Sequence, residues 1–316
     1  MTNAVTTSQW VPVDLGDVEA RGIVWGWDRA WVHGYRRPSD EHVPYVAQVL
    51  DSGDVSEYDV PAQGRLSSVC RLEMQLGLTI GDAPSRLVFV DDDVRQGYVA
   101  ADEWFETAAR TWMTMGDEDP FYVAEWEDGR LTAGEPWHED YPEGGGLRHL
   151  GRPEELLVGS SDASPYVAGR LLGGDGGEAA VGLWTCSPDM GTYGPGGWQR
   201  CELDVSPDGF TQIRSSIQPS FAGHLDGRPV VWDHDRTGVD VPDVPLDPEH
   251  PQVLVPWRLD ELALQTRDEG PQLWSRADRG WSPRPMPPGR LDDAAVCTTS
   301  GLVWVVVDGR LWRPVG

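Results

Sequence analysis

Five arginines stand at corresponding places in a recurring pattern of this chain. Each lies at or near the start of a short apolar run, and the set comprises Arg21, Arg65, Arg148, Arg214 and Arg290. A guanidinium group binds carboxylates and phosphates through paired hydrogen bonds. If the fold gathers these residues, they predict a site for a small anionic ligand. Asp292 is a further candidate for the same ligand site. The alternative is that each arginine pairs with a neighbouring carboxylate, such as Asp292 or Asp293.

Two histidines and two tryptophans are further candidates for the wall of such a site. His33 and His224 occupy what we expect to be corresponding positions in second strands, and Trp25 and Trp257 lie in inner strands. Packing inside the protein is the alternative for all four. The seven histidines show neither close pairs nor the i, i+4 spacing of a helical zinc site, so we predict no metal site from a local motif. Ligands gathered from different blades stay an open alternative, because such a set has no local pattern in the sequence.

One acidic stretch has the beginning of a calcium-binding pattern. Asp233, Asp235 and Asp240 carry oxygens in a loop that also contains a glycine. Val244 stands where a calcium loop has its bidentate glutamate, so a solvated hairpin is the better interpretation. The sequence has no phosphate loop, nucleophile elbow or kinase motif, and without lysine a Schiff base is impossible. We therefore predict no cofactor and leave open whether the protein is an enzyme.

Composition restricts the classes of partner. The chain has 316 residues, no lysine and a formal net charge of −27. Duplex nucleic acids and anionic membranes attract clustered positive charge, so neither is an expected partner. Residues 1–9 lack the features of a secretory signal, and we expect a cytoplasmic monomer. Lysine, asparagine and isoleucine are depleted together, which indicates a bacterium with a high-GC genome.

The elements that must position these residues are short strands. Apolar runs are separated by Gly, Pro or Asp, and helical periodicity is nearly absent. A Gly-led motif recurs at a spacing of roughly forty residues, and the 16 tryptophans would fill the space between sheets. We predict one all-β domain over residues 1–316 with seven four-stranded blades, or six as the alternative. The blades are expected at approximately 20–62, 65–101, 102–143, 147–205, 210–247, 252–287 and 291–316.

The two ends of the chain are predicted to form one blade together. The last segment has three strand-like runs where its neighbours have four, and residues 1–15 contain an outer-strand pattern around Trp10. A last blade completed by an N-terminal strand is how a β-propeller closes its ring and covers the exposed edge. The sequence therefore predicts a single β-propeller closed in this way.

Two stretches resemble the Asp-box hairpin of the sialidase-like (BNR) β-propellers. One runs from Leu183 through Ser187, Asp189 and Gly191, and a degenerate copy runs from Leu273 to Trp281. In that family the box is a fold element, so the resemblance implies the fold and carries no sialidase activity.

The predicted fold leads to two hypotheses about function. The entries to the inner strands of a propeller lie on one rim of its channel, where we expect the five arginines. The first hypothesis is a module that binds a protein or a small anionic ligand through the channel face. The alternative is a lyase, cyclase or glycan-active hydrolase whose Asp, Glu, His and Arg side chains come from several blades.

Overall fold

The computed structural model describes most of the chain, and the regular elements in this part are strands. It describes residues 10–25, 30–37, 43–58, 66–72, 75–80, 85–90, 94–99, 122–127, 130–136, 152–160, 165–172, 180–185, 199–214, 218–278 and 280–315. Within these ranges no helix has the length and apolar character that crossing a bilayer requires.

The strands form seven antiparallel sheets, numbered in chain order. Sheet 1 contains β2 (Val18–Trp25), β3 (Ala30–Arg36), β4 (Pro44–Val49) and β5 (Val55–Tyr58), and sheet 2 contains β6 (Leu66–Leu72), β7 (Gln75–Ile80), β8 (Ser85–Val90) and β9 (Val94–Val99). Sheet 3 contains β10 (Tyr122–Glu127) and β11 (Arg130–Pro136), and sheet 4 contains β12 (Arg152–Ser160), β13 (Pro165–Leu172), β14 (Ala180–Thr185) and β15 (Gln199–Arg200). Sheet 5 contains β16 (Gly209–Arg214), β17 (Ser220–Leu225) and β18 (Arg228–Trp232), and sheet 6 contains β19 (Val253–Leu254), β20 (Glu261–Thr266), β21 (Gly270–Ala277) and β22 (Gly280–Pro285). Sheet 7 contains β23 (Leu291–Val296), β24 (Val303–Val307), β25 (Arg310–Pro314) and β1 (Trp10–Pro12).

The sheets correct the predicted number of blades. Seven blades would place sheet 3 between sheets 2 and 4, but the first strands of those two sheets, β6 and β12, contact each other directly. Sheet 3 is a two-stranded hairpin whose β11 contacts β9, the last strand of sheet 2. The described strands contain five four-stranded sheets, and sheet 5 has three strands. Neither seven nor six four-stranded blades are present among them, so both predicted counts are wrong.

An N-terminal strand lies in the last sheet. β1 pairs with β25 in antiparallel register, with Trp10 opposite Pro314. The Trp10 indole N–H also donates to the carbonyl of Pro285 at 3.0 Å. The strand therefore contributes the fourth strand of sheet 7 and attaches it to β22 of sheet 6.

Apolar side chains join five successive sheets, from sheet 4 through sheet 7 to sheet 1. Between sheets 7 and 1, Trp25 and Trp304 meet edge to face with ring centroids 5.5 Å apart. The other clusters centre on Phe221 and Trp232, on Leu262 and Leu264, and on Leu273 and Val305. The large indole rings thus fill the space between neighbouring sheets, as expected for this tryptophan-rich chain.

Two hairpins are closed by the same Asp-Gly pair. Asp226-Gly227 joins β17 to β18, and Asp308-Gly309 joins β24 to β25. The φ angles are 51° and 69° in the first turn and 48° and 67° in the second. Two successive positive φ angles define the hairpin turn whose twist matches that of the flanking strands, and Asp-Gly tolerates them well.

Asp204 holds the connection between sheets 4 and 5 in place. One carboxylate oxygen accepts the indole N–H of the buried Trp232 at 3.0 Å, and the other accepts the amide of Gly238 at 2.7 Å. The side chain therefore satisfies a buried donor and a loop amide at once.

Replacing Asp204 with alanine is expected to lower the free energy of unfolding by about 1–3 kcal/mol, because the buried Trp232 indole would lose its acceptor. Asn retains one acceptor oxygen and should cost less. Chemical denaturation measures both, with Asp243→Ala as the control because Asp243 is exposed and pairs with the exposed Arg228. A loss no larger in Asp204→Ala than in the control would contradict this interpretation.

Candidate functional site at the inner strands

The first strands of five sheets carry a β-bulge at corresponding positions. The register shifts between Ala20 and Gly22 in β2, Leu66 and Ser68 in β6, Pro153 and Glu155 in β12, Phe210 and Gln212 in β16, and Leu291 and Asp293 in β23. A bulge adds one residue to one strand and re-aims the side chains next to it. Each bulge therefore marks the same position along the first, inner strand of its sheet. We use 'height' below for the position of a residue along such a strand relative to the bulge.

Glycines face two of these bulges. A Cβ on Gly34 would meet the carbonyl oxygen of Glu19, and a Cβ on Gly223 would meet that of Gly209, both well inside 3.0 Å. Neither glycine has a positive φ, so backbone conformation does not require glycine at these positions. Glycine is required because a side chain has no space there. The bulged strand approaches too closely for any side chain.

In sheets 5 and 7 the residue after the bulge connects one sheet to the next. The Gln212 side-chain carbonyl accepts the amide of Val255 at 2.7 Å, and the Asp293 carboxylate accepts the amide of Ile23 at 2.8 Å. The bulged residue Thr211 also donates its hydroxyl to the carbonyl of Val253. Backbone groups at the start of one sheet are therefore satisfied by side chains of the sheet before it.

The structure does not bring the candidate arginines Arg21, Arg214 and Arg290 to the same height along their strands. Arg21 is the bulged residue of β2, Arg290 lies two residues before the bulged Asp292, and Arg214 lies three residues after the bulged Thr211. Relative to the bulge, Arg290 and Arg214 are thus five positions apart, which is roughly 16 Å along a strand. Arg65 and Arg148 lie outside the described residues.

The candidate arginines that the structure describes have contacts within the protein. Arg21 pairs with Glu19 at 2.5 Å, and Arg290 pairs with Asp292 at 2.6 Å. Asp292 also accepts the amide of Gly309 at 2.8 Å and is largely buried. These pairs have the geometry of the salt-bridge alternative, and anion binding by the arginines stays a prediction.

The two candidate tryptophans occupy different environments. Trp25 is only 5% exposed and packs against Trp304 between sheets 7 and 1. Trp257 follows β19, is 41% exposed, and has the guanidinium carbon of Arg214 5.0 Å from its ring centroid. Trp257 and Arg214 therefore form a cation–π pair at the surface, built from two neighbouring sheets.

His33 and Asp293 converge on Gly22, from sheets 1 and 7. Gly22 pairs with His33 across the sheet, and a Cβ on Gly22 would collide with the imidazole Nε2 and lie 2.8 Å from Asp293 Oδ2. Both residues are half-buried. This is the one place among the described inner strands where we find an imidazole and a carboxylate from different sheets together.

Burial disfavours the charged form of both groups. It lowers the pKa of His33 to about 4. Burial also raises the pKa of Asp293 to about 7, with a smaller contribution from the Asp292 carboxylate and an opposing effect from the Ile23 and Ala294 amides. The imidazole is therefore neutral at pH 7, and Asp293 titrates near that pH.

His224 is not the counterpart of His33, which corrects the sequence prediction. Gly34 and Gly223 are the corresponding residues, and His33 precedes its glycine whereas His224 follows its own. His224 packs against Gly209, and burial lowers its pKa while the nearby Asp208 opposes that shift. The two imidazoles therefore lie at different heights.

Asp233, His234 and Asp235 form a small cluster at the surface. Their ligand atoms lie within 4.8 Å of one another, and Asp233 accepts the amide of Thr237 at 3.0 Å. The latter bond belongs to the turn predicted from the sequence.

Sequence reasoning missed the role of Asp293 and of the glycines Gly22, Gly34 and Gly223. A glycine inside a strand pattern is a signal of a bulge or of close approach by another group. This signal was present at all three positions, but the sequence does not say which group approaches.

Comparison with solved structures identifies the class of fold. The chain is similar to streptogramin B lyase, with a TM-score of 0.51 and 10% identity over 99% of both chains. It is also similar to the WD40 β-propeller domain of Doa1, with a TM-score of 0.53 and 11% identity over 97% of this chain and 96% of that one. The protein is therefore an all-β repeat protein with a β-propeller fold. No family model matches the chain, and no curated protein matches it significantly.

Proposed function

We propose that this protein is a β-propeller binding module that engages a protein partner through the surface formed by Trp257 and Arg214. The observation that carries the proposal is the exposed indole of Trp257 with the Arg214 guanidinium stacked on it. Trp and Arg are the residue types most enriched among the energetic centres of protein interfaces. The stacked guanidinium limits the motion of the ring, which reduces the entropy lost on binding.

The charge of the chain defines the kind of partner. A net charge of −27 attracts a basic protein at long range and raises its association rate. A partner with a basic surface and an apolar pocket for Trp257 fits both features. A small anionic ligand fits less well, because Arg21 and Arg290 are paired with carboxylates.

The Asp-box-like stretches have a structural role in this proposal. In the second stretch, Ala277 pairs with Gly280 at the hairpin between β21 and β22. Gly280 has a φ of 100°, which suits a tight turn. Of the first stretch, residues 186–191 lie outside the described residues.

Trp257→Ala is expected to weaken partner binding by about 30-fold or more. This corresponds to a loss of about 2 kcal/mol of binding free energy, which is typical of an interface hot spot. A partner is first isolated from cell extract on the immobilised protein and then purified, and its affinity is measured by titration calorimetry. Val205→Ala is the control, because Val205 is an exposed apolar residue in the connection before β16. Its affinity should equal that of the unaltered protein.

Salt dependence tests the charge of the partner. The association rate should fall steeply between low and high ionic strength if the partner is basic. Binding that is unchanged in Trp257→Ala, or the absence of any partner with measurable affinity, would overturn the proposed function.

A further inference from the structure

Glutamine side chains connect sheet 5 to sheet 6 and sheet 6 to sheet 7. Gln212 accepts the amide of Val255, which follows β19, at 2.7 Å. Gln265 in β20 accepts the amide of Leu291 in β23, also at 2.7 Å. The side-chain amide of glutamine is uncharged and does not titrate in the range where proteins are folded. These two connections between sheets are therefore independent of pH.

The connection between sheets 7 and 1 is made by a carboxyl group instead. Asp293 Oδ2 accepts the amide of Ile23 in β2 at 2.8 Å, and Oδ1 accepts the amide of Ala294 at 2.8 Å. These are the last and the first sheets of the chain, and their inner strands β23 and β2 contact each other. At this connection the accepting group can gain or lose a proton, which a glutamine cannot do.

Among the described residues, no cation pairs with Asp293. The strands that pack against β23 are β2, β20 and β24, and β24 carries no titratable side chain. The titratable and charged side chains on the other strands and beside Gly22 are Glu19, Arg21, His33, Glu261 and Asp292. Arg21 pairs with Glu19 at 2.5 Å, and His33 is neutral at pH 7 because burial lowers its pKa to about 4. A negative charge on Asp293 therefore has only the two backbone amides to stabilise it.

We propose that the contact between sheets 7 and 1 is a pH-sensitive joint, which opens more readily when Asp293 has lost its proton. An ionised carboxylate gains more from hydration than a neutral carboxyl group does, and opening of the joint brings water to it. The glutamine connections between sheets 5, 6 and 7 lack this dependence. The joint does not involve the surface of Trp257, so the proposal is independent of the proposed function.

The direction of the pH effect follows from the environment of the carboxyl group. Burial raises the pKa of Asp293 to about 7, the amides of Ile23 and Ala294 oppose this shift, and the Asp292 carboxylate adds to it. In an unfolded chain the pKa of aspartate is about 3.9. The contribution of Asp293 to stability is therefore lost progressively as the pH rises from about 4 to about 7, and the loss is complete above that range.

Amide hydrogen exchange of the full chain, followed by NMR, measures opening of the joint at single residues. After correction for the intrinsic pH dependence of exchange, protection of the Ile23 amide is expected to fall about tenfold between about pH 5 and about pH 8. The Val255 amide, which donates to the neutral Gln212, is the internal control and should keep its protection. An equal loss at Ile23 and Val255, or no loss at Ile23, would overturn the proposal. This comparison is made within the unaltered protein and needs no variant to fold.

Two matched variants assign the effect to one carboxyl group. Asp293→Asn keeps an acceptor oxygen for the Ile23 amide and removes the titration, so protection of Ile23 should no longer depend on pH. Asp308→Asn is the same chemical change in sheet 7 at a carboxylate that accepts the amide of Arg290, and it should leave the pH dependence intact. Tm should also fall between about pH 5 and about pH 8 by about 3 °C more in the unaltered protein than in Asp293→Asn. A pH dependence that persists in Asp293→Asn would contradict the assignment, as would one that is lost in Asp308→Asn.

Discussion

Replacing Gly223 or Gly34 with alanine is expected to destabilise the protein by about 3 kcal/mol or more, which lowers Tm by about 6 °C or more. The added Cβ would collide with a backbone carbonyl, that of Gly209 or of Glu19, and no side-chain rotation can relieve this contact. The bulge itself would have to move. Moving it would also displace the residue after it, Gln212 in sheet 5, which bonds the next sheet. Thermal and urea unfolding of the two variants measure the loss.

Gly301→Ala is the matched control for this prediction. A Cβ on Gly301 has nothing within 4 Å, but its φ of 69° is unfavourable for alanine. The control should therefore cost about 1 kcal/mol, from backbone conformation alone. If Gly34→Ala and Gly223→Ala cost no more than Gly301→Ala, the close approach at the bulges would not be the requirement we infer.

Deleting residues 1–12 is expected to cause the second large effect, the loss of β1 from sheet 7. The deletion removes the pairing with β25, the bond from Trp10 to Pro285 and the packing of Trp10 on the cluster between sheets 6 and 7. It also leaves the edge of β25 exposed, and exposed edges promote association between molecules. We expect a loss of about 3 kcal/mol or more together with soluble aggregates. Calorimetry and size-exclusion chromatography with light scattering measure the two effects.

A shorter deletion separates the strand from the residues before it. Removing residues 1–8 leaves Trp10–Pro12 in place and should preserve both Tm and the monodisperse elution of the unaltered protein. A protein without residues 1–12 that has an unchanged Tm and elution volume would show that β1 contributes little to sheet 7.

The all-β class and most strand positions could be predicted from the sequence, because short apolar runs between Gly, Pro and Asp residues have few other structures available. The blade count could not be predicted from the same signal. Residues 102–143 contain apolar runs like the others, but their described strands form the β10–β11 hairpin, and its β11 contacts β9, the last strand of sheet 2. Local patterns define a strand without saying which edge of a sheet it joins.

The candidate site was predictable only in part. Arg214 and Trp257 were identified as site candidates, and the structure brings them together because neighbouring sheets place the end of β16 beside the residues after β19. Arg21 and Arg290 looked equivalent in sequence but differ in height, because the bulge adds a residue whose position the sequence does not mark. The approach of Asp293 to His33 depends on the contact between sheets 7 and 1, some 260 residues apart in the chain.

The common position of the bulges has a consequence for the history of the repeat. Gln212 and Asp293 each bond an amide of the sheet that follows, and both do so from the residue after the bulge. A gene duplication or deletion that changes the order of sheets would bring a new amide opposite each of these side chains. In both sheets the bonding residue has the same position relative to the bulge. An exchange between the repeats of sheets 5 and 7 would therefore keep a side chain at the position that bonds the following sheet.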